Sequence, residues 1–205
     1  IMPDTMSIER RQLVKAFGAE LILTEGAKGM AGSIEKANEL LEKNPNYICL
    51  GQFDNEDNPR AHYETTGPEI LKEVKDVSFI VAGIGSGGTI VGAGKFLKEK
   101  NKEIKVIGIE PKSSPLITEN KSGPHKIQGI GANFIPKIYD KDIVDKVITV
   151  SDEDSYETVR LIANKLGILI GISSGANIFG AMKLSDENPD KIIVTVAPDG
   201  VDKYM

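Results

Sequence analysis

A glycine-rich turn between a predicted strand and a predicted helix holds the residue types best suited to bind an anion. The apolar run Phe-Ile-Val-Ala at 79–82 ends in Gly-Ile-Gly-Ser-Gly-Gly-Thr at 83–89, and a helical pattern follows to Lys98. Backbone N–H groups converge at a helix N-terminus, where the peptide dipoles add positive potential. Glycine lets the backbone approach a ligand closely because it has no side chain. The turn therefore predicts a phosphate group at residues 85–89.

The same turn is compatible with more than one ligand. Gly83, Gly85 and Gly88 satisfy the Gly-x-Gly-x-x-Gly pattern of dinucleotide-binding folds. Glu110 ends the next apolar run about 20 residues later, where such folds place the acid that binds ribose. The residues alone leave three interpretations open: a dinucleotide, a simpler phosphate compound, or a tight turn that binds nothing.

The elements that must position this turn alternate along the whole chain. Hydrophobic periodicity predicts strands at 21–23, 47–50, 78–82, 105–109, 147–150, 168–170 and 192–196. It predicts helices at 8–17, 30–43, 63–74, 89–98, 152–166 and 175–184, with Pro68 as a possible start of a new helix inside the third. Alternating strands and helices are typical of an α/β fold, in which a parallel sheet has helices on both faces.

Composition narrows the class of protein. The chain has 205 residues and a net charge of −5, which argues against nucleic acid or an anionic membrane as the main partner. No apolar run approaches the roughly 20 residues of a membrane span, and no signal-peptide pattern opens the chain. The one cysteine, Cys49, lies among apolar residues and is predicted to be buried. We therefore expect a cytoplasmic enzyme without a metal site.

Five sequence segments go beyond these general patterns. They are Met-Pro-Asp-Thr-Met-Ser-Ile-Glu-Arg-Arg at 2–11, the stretch from Gln-Phe-Asp-Asn at 52–55 to Thr-Thr-Gly-Pro-Glu-Ile at 65–70, Gly-Ser-Gly-Gly-Thr at 85–89, Gly-Pro-His-Lys-Ile-Gln-Gly-Ile-Gly-Ala at 123–132 and Gly-Ile-Ser-Ser-Gly-Ala at 171–176. In this order they resemble the cysteine synthase (O-acetylserine sulfhydrylase) family over nearly the whole chain. These are pyridoxal-phosphate enzymes of the tryptophan-synthase-β-like fold, also called fold type II. The resemblance implies a three-layer α/β sandwich with a mostly parallel sheet.

The resemblance also predicts how the chain divides. Residues 1–50 would be the remainder of a smaller, mobile N-terminal domain whose first part is missing, and residues 51–205 the larger domain that binds the cofactor phosphate. The family lysine that forms a Schiff base with the cofactor lies in a Ser-x-Lys-Asp-Arg-like motif, which does not occur here. We therefore expect that lysine before Ile1 and no catalytic residue in the chain itself. The 205 residues alone should not form cysteine.

The resemblance assigns pyridoxal 5'-phosphate to the glycine turn. Its phosphate would be held by backbone N–H groups and a hydroxyl from five successive residues, Gly85, Ser86, Gly87, Gly88 and Thr89. Ser173 would hydrogen-bond the pyridine nitrogen. A neutral hydroxyl does not force protonation of that nitrogen as a carboxylate would, and the resulting weaker electron sink suits β-elimination better than transamination. The alternative is that Ser173 only caps a helix, a role open to Ser174 as well.

Substrate contacts follow from the same resemblance. Gln52 would help to bind the substrate carboxylate, the alternative being a solvated loop amide. The mouth of the site would be lined by the backbone of Gly129, Ile130 and Gly131. His125 and Lys126 would lie at the site entrance, where positive charge steers anionic amino acids.

Two further polar residues receive structural roles. Glu110 is then expected to end its strand and make local hydrogen bonds, because a pyridoxal enzyme has no ribose for it to bind. His62 lies at the start of the helix predicted at 63–74, and a lone histidine there is more often structural than catalytic.

The resemblance implies an activity and a set of partners. The complete protein would replace the acetoxy group of O-acetylserine with sulfide, giving L-cysteine and acetate. The alternatives are a related β-replacement or elimination enzyme (cystathionine β-synthase, cysteine desulfhydrase or lanthionine synthase) and, from another class, an inactive fragment that binds phosphate or a peptide. The family also suggests a homodimer and a regulatory partner, the C-terminal peptide of serine acetyltransferase.

Overall fold

The computed structural model describes residues 1–203. The strands in this range are β1 (Met2–Pro3), β2 (Leu23–Thr24), β3 (Val77–Gly83), β4 (Lys105–Pro111), β5 (Lys146–Val150) and β6 (Ile192–Thr195). The α-helices are α1 (Ile8–Ala16), α2 (Gly29–Lys43), α3 (Asp57–Glu64), α4 (Thr66–Glu73), α5 (Gly88–Lys100), α6 (Leu116–Glu119), α7 (Asp152–Leu166) and α8 (Ile172–Glu187). Short 3-10 turns occupy Gly26–Lys28 and Val201–Lys203.

Local sequence signals explain where several helices begin and end. The Ser7 hydroxyl caps α1 by accepting from the Arg10 N–H at 3.3 Å. The Ser151 hydroxyl caps α7 in the same way. Three acidic residues in the first turn of α7 stabilise the helix by interacting with the positive end of its dipole. Gly167 ends α7 at φ 69°, a conformation that glycine adopts without a Cβ clash. Most predicted helices are therefore found close to their expected bounds.

Four parallel strands form the main sheet, in the order β5-β4-β3-β6. Side chains alternate between the two faces of β3. Ile80 and Ala82 pack with buried residues of α5, whereas Val81 packs with buried residues of α8. The sheet thus lies between two helical layers, which confirms the predicted three-layer α/β fold with a parallel sheet.

A second, two-stranded parallel sheet pairs β1 with β2 near the start of the chain. Helix α2 packs beside it, and the side chain of Asn133 caps this helix from a distant part of the sequence. Asn133 Oδ1 accepts from the Ala31 N–H at 3.2 Å, and its Nδ2 donates to the Lys28 carbonyl at 3.1 Å. The division into domains at residue 50 stays a prediction.

Two predicted strands are wrong. Residues 47–50 form no strand, and Ile48 and Leu50 are 86% and 79% exposed. Residues 168–170 contribute only an isolated antiparallel bridge from Ile170 to Gly200. An apolar run becomes a strand only where a neighbouring strand pairs with it. Cys49 is exposed for the same reason, so its predicted burial is also wrong.

The predicted helix at 63–74 is two helices that meet at Thr65. This residue has φ −121° and ψ −70°, outside helical geometry, and its hydroxyl donates to the Ala61 carbonyl at 2.7 Å. The first of the two begins earlier than expected, at Asp57. The last predicted strand, an apolar run expected to be buried, is the edge strand β6, in which Ile192 is 44% exposed.

Candidate functional site

The glycine turn lies at the carboxyl end of β3, one of the two central strands of the main sheet. Gly87 is the N-cap of α5, with φ 90° and ψ −10° in the left-handed region. That geometry turns the chain sharply from strand to helix and leaves the first N–H groups of α5 unpaired within the helix. Gly88 and Ile90, which begin α5, are buried. The turn therefore presents a fixed set of backbone donors at the edge where ligands bind in open α/β sheets.

The backbone of Gly129, Ile130 and Gly131, which is predicted to line the mouth of the site and is called the wall below, packs directly against this turn. The Gly131 N–H donates to the Ile84 carbonyl at 2.9 Å. A Cβ placed at Gly85 would overlap the carbonyl oxygen of Gly129, and one at Gly83 would lie 2.5 Å from Cγ2 of Ile130. The glycines at 83 and 85 are thus required for the close contact with residues 129 and 130.

Ser173 lies on the other side of that wall, in the first turn of α8. It is 4% exposed, and its hydroxyl has no hydrogen-bond partner within residues 1–203. A Cβ placed at Gly129 would be 3.7 Å from the Ser173 Oγ. The N-cap of α8 is Gly171, so the alternative of Ser173 or Ser174 as the helix cap is wrong. Ser173 is therefore a largely buried residue whose hydroxyl oxygen is neither paired nor fully enclosed, which fits a residue that binds a ligand nitrogen.

Gln52 is exposed in the loop before α3, and its link to the site runs through a residue that the sequence analysis did not identify. Asn58 Nδ2 donates to the Gln52 carbonyl oxygen at 2.7 Å and to the Ser86 hydroxyl oxygen at 3.0 Å. A Cβ at Gly88 would overlap Asn58 Oδ1. This asparagine therefore joins the candidate substrate loop to the candidate phosphate turn.

His62 also contacts the site, although the sequence predicts only a structural role. Its Nε2 lies 3.1 Å from the Thr89 hydroxyl and its Nδ1 2.9 Å from the Thr66 hydroxyl. Asn58 and His62 are four residues apart on α3, so they share the face that packs on α5. The i, i+4 spacing becomes recognisable only once α3 is known to begin at Asp57, because the sequence predicted a helix only from residue 63.

Glu110 has the structural role expected of it. The residue is 2% exposed, and its carboxylate accepts from the N–H groups of Ile117 and Thr118 and from the Thr118 hydroxyl. A carboxylate that is buried and satisfied in this way is unavailable to a ribose. The glycine turn therefore lacks the ribose-binding acid that a dinucleotide site would need.

The two residues predicted at the site entrance, His125 and Lys126, differ in exposure: His125 is half-buried and Lys126 is exposed. His125 Nε2 lies 2.9 Å from the Gly131 carbonyl oxygen, so it supports the wall from behind. Lys126 is exposed, and its backbone N–H donates to Asp152 Oδ2 at 3.0 Å.

Across residues 1–203, no helix is long and apolar enough to span a membrane.

We predict that His62 makes the stability of the protein depend on pH. Burial lowers the pKa of His62 from its ordinary value of 6.5. The unfolded chain then binds more protons than the folded chain as the pH falls below 6.5, so this residue costs stability on the acid side. Between pH 7 and about 5, Tm should fall more steeply for the wild type than for His62→Gln. Equal slopes would contradict the assignment.

The comparison with known proteins agrees with this site. The sequence profile of the family described as pyridoxal-phosphate dependent enzyme matches residues 1–199. Cysteine synthase B of Campylobacter jejuni is 47% identical over 206 residues, which is 100% of this chain and 69% of that protein. The family and the curated relative confirm the resemblance drawn from the five segments.

Solved structures place the chain in the same fold. A hydrogen sulfide-producing enzyme from Fusobacterium nucleatum has a TM-score of 0.96 at 45% identity, over 100% of this chain and 70% of that one. Cysteine synthase from Entamoeba histolytica has a TM-score of 0.92 at 44% identity, over 99% of this chain and 61% of that one. The chain thus spans about two thirds of the length of the proteins that it matches. With its glycine turn, its buried unpaired serine and these relatives, the chain belongs to the family of pyridoxal-phosphate dependent enzymes, as its five segments predicted.

Proposed function

We propose that the protein containing this chain makes L-cysteine by replacing the acetoxy group of O-acetylserine with sulfide, releasing acetate. The observation that carries the proposal is the arrangement of the turn at 85–89 and the unpaired hydroxyl of Ser173 on two sides of Gly129. A phosphate bound at one and a ring nitrogen bound at the other fit one cofactor, pyridoxal 5'-phosphate, which supplies the electron sink for β-elimination when bound.

Residues of this chain would hold the cofactor and the substrate. The phosphate is proposed to accept from those backbone N–H groups of 85–89 that the turn does not itself use, and from the hydroxyls of Ser86 and Thr89. Ser173 would hydrogen-bond the ring nitrogen while leaving it unprotonated. Gln52 would help to bind the substrate carboxylate, and the backbone of residues 129–131 would line the mouth of the site. The lysine expected before Ile1 stays a prediction.

The main alternative is a sister reaction on the same cofactor. One structural relative is a hydrogen sulfide-producing enzyme, which supports elimination from cysteine as a second candidate. The intact protein should be incubated either with O-acetylserine and sulfide or with cysteine alone. Cysteine formation in the first mixture at a much higher kcat/KM than sulfide release in the second supports the proposal. The reverse order supports the alternative, and no product in either supports an inactive phosphate- or peptide-binding module.

A regulatory partner is proposed at the entrance of the site. The candidate is the acidic C-terminal peptide of serine acetyltransferase, which ends in an isoleucine carboxylate and would compete with O-acetylserine. Lys126 is exposed and would attract such a peptide from a distance. Phe53, Gln52 and His125 would complete the entrance. A homodimer in the cytoplasm is expected by the same reasoning from the family.

We predict that a decapeptide ending in isoleucine competes with O-acetylserine, and that Lys126→Ala slows its association. A surface charge acts mainly on the association rate and is screened by salt. The rate constant should fall about two- to tenfold in the variant at low ionic strength, and less at high salt. Stopped-flow titration of the intact enzyme measures both. Absence of competition in the wild type removes the partner. Competition that depends on neither salt nor Lys126 removes the role of the lysine.

A further inference from the structure

The side chain of Asn58 connects two loops that are distant in sequence. It belongs to the first turn of α3, and its amide nitrogen has two hydrogens to donate. One acceptor is the backbone carbonyl of Gln52 at 2.7 Å, and the other is the Ser86 hydroxyl oxygen at 3.0 Å. Both donors of the amide are therefore committed, and the two acceptors belong to the candidate substrate loop and the candidate phosphate turn.

The bond from Asn58 determines what the Ser86 hydroxyl can do. Its oxygen also accepts from the Gly88 N–H at 3.4 Å, so two donors already occupy its two lone pairs. Within residues 1–203 the Ser86 hydroxyl hydrogen has no acceptor. That hydrogen is left to be donated to an anionic oxygen in the turn, and a hydrogen bond to a charged acceptor is among the strong ones.

Packing holds the amide in this orientation. The absence of a side chain at Gly88 leaves room for Asn58 Oδ1, which a Cβ there would overlap. The next residue, Pro59, is buried and fixes the backbone of α3 at this point. Rotating the amide by half a turn would place the oxygen, which cannot donate, against both acceptors.

We propose that Asn58 is a positioning residue, which holds the Ser86 hydroxyl as a donor to the cofactor phosphate and ties the Gln52 loop to the same turn. It touches neither cofactor nor substrate in this role. Binding of the phosphate then fixes Ser86, Ser86 fixes Asn58, and Asn58 fixes the carbonyl of Gln52. The part that concerns Gln52 and O-acetylserine rests on the proposed function, whereas the part that concerns the phosphate needs only the cofactor.

The first test is a double-mutant cycle on cofactor affinity. Cofactor-free intact protein is titrated with pyridoxal 5'-phosphate for the wild type, Asn58→Ala, Ser86→Ala and the double variant. We expect Asn58→Ala to weaken binding about tenfold in the wild type and less than twofold in Ser86→Ala. An equal factor in both backgrounds would show that Asn58 acts independently of Ser86, and would overturn the proposal.

Asn58→Asp tests whether the hydrogen-bond donors of Asn58 matter, or only the size of its side chain. The carboxylate has nearly the same size, but it cannot donate to the Gln52 carbonyl or to Ser86, and it attracts the Ser86 hydrogen away from the phosphate. We expect it to bind the cofactor more weakly than Asn58→Ala, with the phosphorus NMR signal of the bound phosphate shifted. Wild-type affinity in this isosteric variant would overturn the proposal.

A matched control removes an asparagine of purely structural role. Asn44 Nδ2 donates to the Leu40 carbonyl at 2.8 Å at the end of α2. Asn44→Ala should lower the Tm of the cofactor-free protein and leave unchanged the rise in Tm that added cofactor produces. Asn58→Ala should reduce that rise, because ligand stabilisation follows the affinity of the folded state. The same unchanged rise in both variants would make Asn58 structural only.

The Gln52 contact is tested by turnover. Asn58→Ala should raise KM for O-acetylserine about fivefold with a smaller change in kcat, whereas Ser86→Ala should leave KM near the wild-type value at saturating cofactor. An unchanged KM in Asn58→Ala overturns the link to Gln52. Failure of the wild type to make cysteine would reject the proposed function and leave the cofactor titrations fully interpretable.

Discussion

Replacing Gly87 with valine should nearly abolish retention of the cofactor. Gly87 has φ 90° at the N-cap of α5, and a β-branched residue in the left-handed region is strained. The nearest atoms to a Cβ there belong to Tyr139, at 3.5 Å or more, so the protein has room for the side chain but not the backbone geometry. We expect the turn to open and the affinity for pyridoxal 5'-phosphate to fall at least about 100-fold.

Gly167→Val is the matched control for this substitution. Gly167 also has a positive φ, 69°, and a Cβ there would meet nothing within 4 Å. Both variants should lose stability by about 1–3 kcal/mol from backbone strain, but only Gly87→Val should lose the cofactor. Equilibrium dialysis with pyridoxal 5'-phosphate and thermal unfolding measure the two effects. Unchanged cofactor occupancy in Gly87→Val would remove the phosphate site from the turn.

Replacing Gly92 with alanine should damage both stability and the site. Gly92 lies in α5 where this helix meets α3, and a Cβ there would overlap the carbonyl oxygen of Pro59 and come within 2.9 Å of the His62 Cβ. Alanine favours an isolated helix by about 1 kcal/mol over glycine. Overpacking against a backbone atom costs more, so we expect a net loss of about 1–3 kcal/mol in the free energy of unfolding. The displaced α3 carries Asn58 and His62 away from the turn, and cofactor affinity should fall with it.

Gly180→Ala tests whether the backbone contact is responsible. Gly180 is a buried glycine of α8, and the atom nearest to a Cβ there is the end of the Ile109 side chain, which can rotate away. Urea unfolding should therefore show a smaller loss for Gly180→Ala than for Gly92→Ala, and its cofactor affinity should stay at the wild-type level. The opposite order would indicate that helix α3 can shift to accept the alanine.

The sequence predicts the parts of this protein whose signal is local. The turn at 85–89 is recognisable because glycine, strand and helix patterns coincide there, and the local hydrogen bonds of Glu110 were expected from its place at the end of a strand. The strands expected at 47–50 and 168–170 were predicted wrongly because local hydrophobic periodicity does not show whether a neighbouring strand is available for pairing.

The contacts of Asn58 and His62 were missed for a related reason. Asn58 meets Ser86 across 28 residues of sequence, and His62 meets Thr89 across 27. Such pairs form only when α3 packs on α5, and no motif of fixed spacing encodes them. The function of a residue in a helix next to a binding turn therefore requires the structure.

The order of strands in the main sheet has a consequence for how the chain folds during synthesis. Strand β3 pairs with β4, which follows within about 20 residues, but its other neighbour, β6, begins only at Ile192. A growing chain therefore leaves one side of β3 without its second partner while residues 84–191 are made, with unpaired N–H and C=O groups beside an apolar surface. Parallel pairing over such a separation is slow because the loop must close first. We expect nascent chains that stop before residue 192 to depend on chaperones and to aggregate without them.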